Sequence, residues 1–182
     1  TTELVSRVDD SRRTTANDRP EAKDLSADGR FVLINSWATN VVAGQIDSPS
    51  ISNDVFLHDT VNDQSSLISR STAGATITAN GQSDAIALSA DGRWALFGTV
   101  ATDIAVGVTD TNNGAPDLYL HDRSSGQNAL ISHSADSAFT TGNRRALGRA
   151  MSADGRWLLY DSEATDVIPG MSDTLNSSDV FL

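Results

Sequence analysis

The chain has 182 residues and a formal net charge of -11, which makes one domain with a sizeable core the default and argues against a phosphate-backbone partner. Nucleic acid is therefore not expected. Cysteine is absent, so disulfides, thiolate chemistry and cysteine-ligated zinc or iron–sulfur centres are excluded. No run approaches the roughly 18 apolar residues of a membrane span, and the opening TTELVSRVDD has neither a basic nor an apolar leader region, so the chain as given is expected to be soluble, with any signal peptide already removed.

In chain order the first apolar run is LVSR at 4–7, which returns as LISR at 67–70 and LISH at 130–133, a step of 63 residues each time. LSADGRFVLI at 25–34 returns at the same step as LSADGRWALF at 88–97 and MSADGRWLLY at 151–160. Between 25–59 and 88–122 the ungapped repeat is identical at 15 of 35 positions, including Asp47/Asp110, Asp54/Asp117 and the pairs His58-Asp59 and His121-Asp122. The third copy is one residue shorter before Asp179 and ends at DVFL. A fixed period of this length signals a repeat architecture.

Each unit predicts four strands, a to d. Strand a ends at the SADGR serine, b follows the Asp-Gly, c is DVFLHD or DLYLHD, and d is the run represented by NALIS. These runs are short, rich in β-branched, aromatic and leucine residues, and punctuated by Asp-Gly, Asn-Gly or Ser-Gly. Asp-Gly between apolar runs predicts a two-residue hairpin turn. A four-stranded antiparallel meander cannot bury both faces alone, but stacked radially it becomes a propeller blade. The expected fold is all-β, a β-propeller of four-stranded antiparallel blades with three blades per chain. It forms a single domain over 1–182, with units at about 8–70, 71–133 and 134–182 plus 1–7.

SADGRWALF, TDTNNGAPDLYLHD and SGQNALIS resemble the repeat of the bacterial TolB-like, or WD40-like, β-propeller family over practically the whole chain. The departures are His58 and His121, where the family more often has arginine, and the degraded first loop IDSPSISND. The resemblance implies an extracytoplasmic bacterial protein, periplasmic or secreted, and a blade type found in six-bladed rings. Two chains are then expected to form a homodimer that closes one such ring, with Leu4 to Arg7 of each adding strand d beside DVFL of the other; the alternative is that the chain is a piece of a longer propeller, cut inside a blade.

Strand direction puts the a–b and c–d turns on one face and the long b–c and d–a loops on the other, where a protein or glycan ligand is expected. The b–c loop places Asp110, Asn112 and Asp117 around Gly114, and Asp173, Asn176 and Asp179 repeat the oxygens in the third unit. Two readings stay open: a calcium loop, or Asx turns shaping the approach to strand c. A His-Asp neighbour pair on a strand points to opposite faces, so His58 and His121 are expected to pack between blades or cap the c–d turn. Trp94 and Trp157 are expected to pack blades, Trp37 to be exposed near the b–c loop, and Arg30, Arg93 and Arg156 to pair with a neighbouring blade. Everything repeated is structural, so a non-enzymatic binding or scaffold module leads. A propeller hydrolase or lyase, hinted at only by His133, Arg144 and Arg145, and an engineered repeat protein without a ligand are the alternatives.

Overall fold

The computed structural model describes every residue except Thr1, Asp9, Asp10, Arg12, Pro49, Ser50, Ile51, Leu175 and Asn176. Among the described residues there are strands and no helix. The first sheet runs β1 (Pro20–Leu25), β2 (Phe31–Ser36), β3 (Asp54–Asp59) and β4 (Gln64–Leu67), each antiparallel to the next. The second repeats it with β5 (Ser83–Leu88), β6 (Trp94–Thr99), β7 (Asp117–Asp122) and β8 (Gln127–Leu130). A small hairpin, β9 (His133–Ser134) and β10 (Ser137–Thr141), precedes a third sheet of β11 (Ala146–Met151), β12 (Leu158–Ser162) and β13 (Asp179–Phe181).

Register explains why these strands are apolar without alternation. Leu33 lies opposite Leu57 and Ile34 opposite Phe56, so Phe31, Leu33, Val55 and Leu57 share one face while Ile34, Phe56 and Leu67 share the other. Both faces are buried. The first meets Ala85, Leu88, Ala95, Phe97 and Tyr119 of the second sheet, with Ile68 and Ala79 between them. The other is covered by Val5, Ala16 and the loop residues Ala38, Val41 and Val42. The third sheet continues the stack: Leu96 and Leu118 approach Gly148, and Tyr160 stacks on Phe181 much as Phe97 stacks on Tyr119. Consecutive four-stranded meanders packed face to face, with β5 touching both β1 and β11, are arranged as β-propeller blades.

The repeated SADGR is a self-contained joint. Ser26 Oγ donates to Asp28 Oδ1 at 2.7 Å and accepts from Phe31 N–H at 2.9 Å, while Asp28 Oδ1 accepts from Arg30 N–H at 3.0 Å. Ser89 and Ser152 repeat the arrangement. The alanines join one turn to the next: Ala27 N–H donates to Ala90 O at 2.8 Å and Ala90 N–H to Ala153 O at 2.7 Å.

Several expectations need correction. The turn is wider than a two-residue Asp-Gly hairpin, because Gly29 N–H donates to Ser26 O; Ala27 and Asp28 are central and Gly29 follows at φ +74°. Arg30 and Arg93 pair within their own sheets, with Asp59 and Asp122, because β2 and β3 align Phe31 with Asp59 and β6 and β7 align Trp94 with Asp122. Strand d starts and ends earlier than LISR, at Gln64–Leu67. LVSR, expected to pair with a second copy, has no strand c of this chain beside it and bridges Thr15 through Arg7.

Candidate functional site

The long loops do gather on one face. Parallel bridges tie the b–c loops to the d–a connections, Ile46 to Ile77 and Thr109 to Thr140. Side chains reinforce them: Thr111 N–H donates to Thr141 Oγ1 and Ser48 N–H to Thr78 Oγ1, at 2.9 and 2.8 Å.

In the second unit the expected loop residues come together. Asp110 accepts from Asn112 N–H at 2.8 Å and Gly114 N–H at 2.9 Å. Asn112 Oδ1 accepts from Ala115 N–H at 3.0 Å, which turns its Nδ2 toward both oxygens of Asp117 at 3.1 Å. Asp117 also accepts from Ser132 Oγ at 2.9 Å. Asn113 and Gly114 take positive φ, 61° and 73°. The loop is thus an Asx-turned loop whose oxygens already accept hydrogen bonds. Burial lifts the Asp117 carboxyl to about 7, with Asp110 adding to the rise and hydrogen bonds from Ser132 and Asn112 opposing it. Asp54 sits at the same place in the first sheet and is also lifted to about 7 by burial, against a hydrogen bond from Ser69. In the third unit Asp173 is half-buried and Asp179 exposed at the start of β13, while Asn176 lies outside the described residues.

The remaining candidates take structural places. His58 and His121 are buried; His58 Nδ1 is hydrogen-bonded to Ser65 Oγ, and His121 Nδ1 donates to Asn128 Oδ1. Burial holds both imidazoles below the usual histidine range. Ligand atoms of Glu3, His58 and Asp63 lie within 4.8 Å of one another, but the Arg7 guanidinium is paired with Asp63 there, and its positive charge opposes a second cation. His133 Nδ1 donates to Ser134 O, Arg145 pairs with Glu163, and Arg144 is exposed. Trp37 is 37% exposed and lines a shallow cavity with Asn53 beside the b–c loop. Trp94 packs across an interface against Gly155, as expected. Trp157 is 58% exposed, because no further sheet lies against it.

Two features escaped the sequence reading. Arg7 and Arg70 each reach across an interface to the next sheet's c–d turn, donating to Asp63 O and Gly126 O. The second feature is a groove of about 370 Å³ between the second and third sheets, lined by Asp84, Ile86, Gly98, Leu118, Gly148 and Arg149. Val100 and Pro116, at the two ends of the b–c connection, also line it, so it opens on the long-loop face. Its only trace in the sequence is Gly98 standing where the first unit has Asn35.

A scan against family models finds no match, and neither does a search of curated proteins. Among solved structures the chain is similar to the crystal structure of TolB from Acinetobacter baumannii, with 16% identity and a TM-score of 0.46. The alignment covers 94% of this chain and 35% of that one, so the chain spans about a third of that protein's length. No helix among the described residues is long and apolar enough to cross a membrane.

Proposed function

We propose that the chain is a non-enzymatic β-propeller module, placed outside the cytoplasm as its repeats suggest, that docks end to end with a second copy and presents its long-loop face to a ligand. The observation behind it is an interface divided between the two ends of the chain. Phe31 covers the Gly92 turn and Trp94 the Gly155 turn; at the ends, Gly29 has nothing within 4 Å of where a Cβ would stand, and Trp157 is exposed. Leu33, Val55 and Leu57 are at most 2% exposed, whereas their counterparts Leu159, Val180 and Leu182 are 37%, 69% and 77% exposed. Leu25 is 53% exposed where its counterpart Leu88 is 7%. A second copy that sets Leu25 and Gly29 against Trp157 and Leu159 repeats the internal interface, and two such junctions give a homodimeric six-bladed ring. Such apolar patches on a soluble chain mark interaction surfaces.

Light scattering on the purified chain tests this reading. A dimer at micromolar concentration that becomes a monomer in Trp157→Asp is expected, and a monomeric wild type overturns it. Calcium at Asp110, Asn112 and Asp117, with Asp173, Asn176 and Asp179, is kept as a proposed stabiliser of the b–c loops. In the second unit it would displace existing hydrogen bonds.

A further inference from the structure

We propose that the cavity beside Trp37 binds a neutral pyranose ring, free or at the end of a glycan. Register builds the site. Pro20 lies opposite Ser36 and Ser36 opposite Asp54, so Arg19, Trp37 and Asn53, each one residue further toward the long loops, follow one another across the end of the first sheet. Glu21 shares the Arg19 side of the strand, and with Pro20 these residues line a cavity of about 250 Å³, smaller than the pockets that hold drug-sized ligands.

The other units complete this row with their own residues. In the third, where Ala146 lies opposite Ser162, Arg145 and Glu163 stand in the places of Arg19 and Trp37 and form an ion pair at 2.5 Å. In the second, where Ser83 lies opposite Thr99, the places fall to Gln82 and Val100, and Gln82 Nε2 donates to Asp84 at 3.1 Å. The first unit has an indole in place of the acid, so the Arg19 guanidinium has no acceptor among the described residues. Asn53 adds an acceptor without a donor. It is 6% exposed, and its Nδ2 donates to Asp84 Oδ1 at 2.7 Å. A carboxylate only accepts, so the amide is fixed with its NH2 toward Asp84, and its Oδ1 has no partner among the described residues. A buried acceptor left in this way costs free energy that a ligand hydroxyl recovers.

The occupant follows from the mix of groups. Trp37, 37% exposed, offers a flat apolar face. Arg19 only donates, whereas Asn53 Oδ1 and Glu21, one of whose oxygens is held by Lys23 at 2.9 Å, accept. A cation would face the Arg19 guanidinium, and an anion would face the Glu21 carboxylate and the chain's net charge of -11. A plain aromatic ring would cover Trp37 but leave Asn53 Oδ1 unanswered. A pyranose has an apolar C–H face for the indole and hydroxyls at its rim that both donate and accept, so it meets all of these groups at once. The inference rests on the ligand-presenting part of the reading above and does not need end-to-end docking.

The test uses the indole N–H resonances of the protein's three tryptophans in the whole, isotopically labelled chain, titrated in turn with methyl β-D-glucopyranoside, methyl β-D-galactopyranoside and methyl α-D-mannopyranoside. At least one sugar is expected to shift the Trp37 resonance saturably, with a Kd on the order of 1 mM for so small a ligand, and to leave Trp94 and Trp157 in place. Trp37→Val copies the second unit, so it should melt near the wild type while binding of that sugar, followed by saturation transfer to the sugar's own protons, falls at least tenfold. Arg19→Gln, a change at an exposed position that copies the same unit, should weaken binding several-fold. Equal affinity for the methyl glycoside and a trisaccharide ending in it assigns a free sugar, tighter binding of the trisaccharide assigns a glycan end, and either upholds the site. Tighter binding of the methyl glucuronoside overturns the choice of a neutral ring. Equal shifts at all three tryptophans, undiminished binding to Trp37→Val, or no shift with any of the three sugars overturns the sugar site alone, and a failure of a broad peptide and glycan panel besides overturns the ligand-presenting reading.

Discussion

Gly92 and Gly114 both sit at positive φ, +66° and +73°, where a β-branched side chain is strained by about 1–3 kcal/mol. Only Gly92 is also crowded: a Cβ there would overlap the Phe31 ring, whereas one on Gly114 would meet nothing within 4 Å. Overpacking adds about 1–3 kcal/mol, so Gly92→Val should lower the melting temperature roughly twice as far as Gly114→Val. Melts in chelator compare them, and equal losses would show that Phe31 moves aside at no cost. Asp54 and Asp117 make a second prediction. Burial lifts both carboxyls to about 7, against about 4 in an unfolded chain. The folded state holds their protons more tightly, so their contribution to stability is fully present below about pH 4 and is lost as pH rises through about 7. Asp59 and Asp122 work the other way, since hydrogen bonds from Arg30 and Arg93 hold them well below the usual carboxylate range; their contribution is present above about pH 4 and is lost progressively as pH falls below it. The buried imidazoles of His58 and His121, held below the usual histidine range, work in the opposite direction as pH rises through about 6.5. Comparison with Asp54→Asn, which keeps an oxygen for Ser69 Oγ, therefore isolates the carboxyl: the wild type should lose stability relative to the variant from pH 5 to pH 8. Parallel pH profiles for wild type and variant would refute it. A turn at SADGR was legible because its signal, Asp-Gly between apolar runs, is local, whereas its width is set by hydrogen bonds of Ser26, Asp28 and Gly29 that the dipeptide alone does not carry. The partners of Arg30 and Arg93 were misplaced because they depend on cross-strand register, with Asp59 and Asp122 each 29 residues away.

At the scale of the loop, calcium and Asx turns compete for the same oxygens. An ion between Asp110 and Asp117 would have to outbid the hydrogen bonds of Asn112 and Gly114, and it requires Asp117 ionised. Calcium affinity should therefore rise as pH passes about 7, the value to which burial lifts that carboxyl. If the ion binds, a hundredfold excess over Kd adds about 2.7 kcal/mol per site. Magnesium controls for screening of the chain's negative charge, since it prefers octahedral, water-rich coordination. A calcium-specific rise in melting temperature, larger at pH 8 than at pH 6 and lost in Asp110→Ala plus Asp173→Ala, is the expected outcome. Equal rises with both ions, or none, leave the loop as a hydrogen-bonded turn. The strands of each unit were legible because each is a dense apolar run between turn residues. The β9–β10 hairpin was not, because HSADSAFTT carries no such run, and its formation depends on Thr140 and Thr141 lying beside Thr109 and Thr111. The groove was hidden for a related reason: a glycine replacing an asparagine in an alignment acquires meaning only when the second and third sheets are seen to meet there.

For the whole molecule, the junctions between sheets set the geometry of the proposed dimer, and that geometry is polar in the head-to-tail sense. Each junction joins an aromatic residue after SADGR on one sheet to the glycine turn of the next, so a contact between copies needs Trp157 from one and Gly29 from the other. The turn-to-turn ladder ends the same way, with Ala27 N–H bonded to Ala90 O and Ala90 N–H to Ala153 O, which leaves the Ala153 N–H at one end and the Ala27 carbonyl at the other for the second copy. This asymmetry separates specific docking from general stickiness of exposed Leu159, Val180 and Leu182. Gly29→Asn tests the receiving end, because asparagine tolerates positive φ and its side chain meets nothing within the single chain, yet occupies the space Trp157 needs. Trp157→Asp tests the inserting end. Each variant alone should remain a monomer with the melting temperature of the isolated chain little changed. Mixed in equal amounts they should form a heterodimer through one intact junction, Trp157 of the Gly29→Asn copy against Gly29 of the Trp157→Asp copy, with a larger Kd than the wild-type dimer held by two. Analytical ultracentrifugation of the two variants and their mixture reads this directly. Dimers of either variant alone, or a mixture that stays monomeric while the wild type dimerises, would show that the copies meet through some other surface.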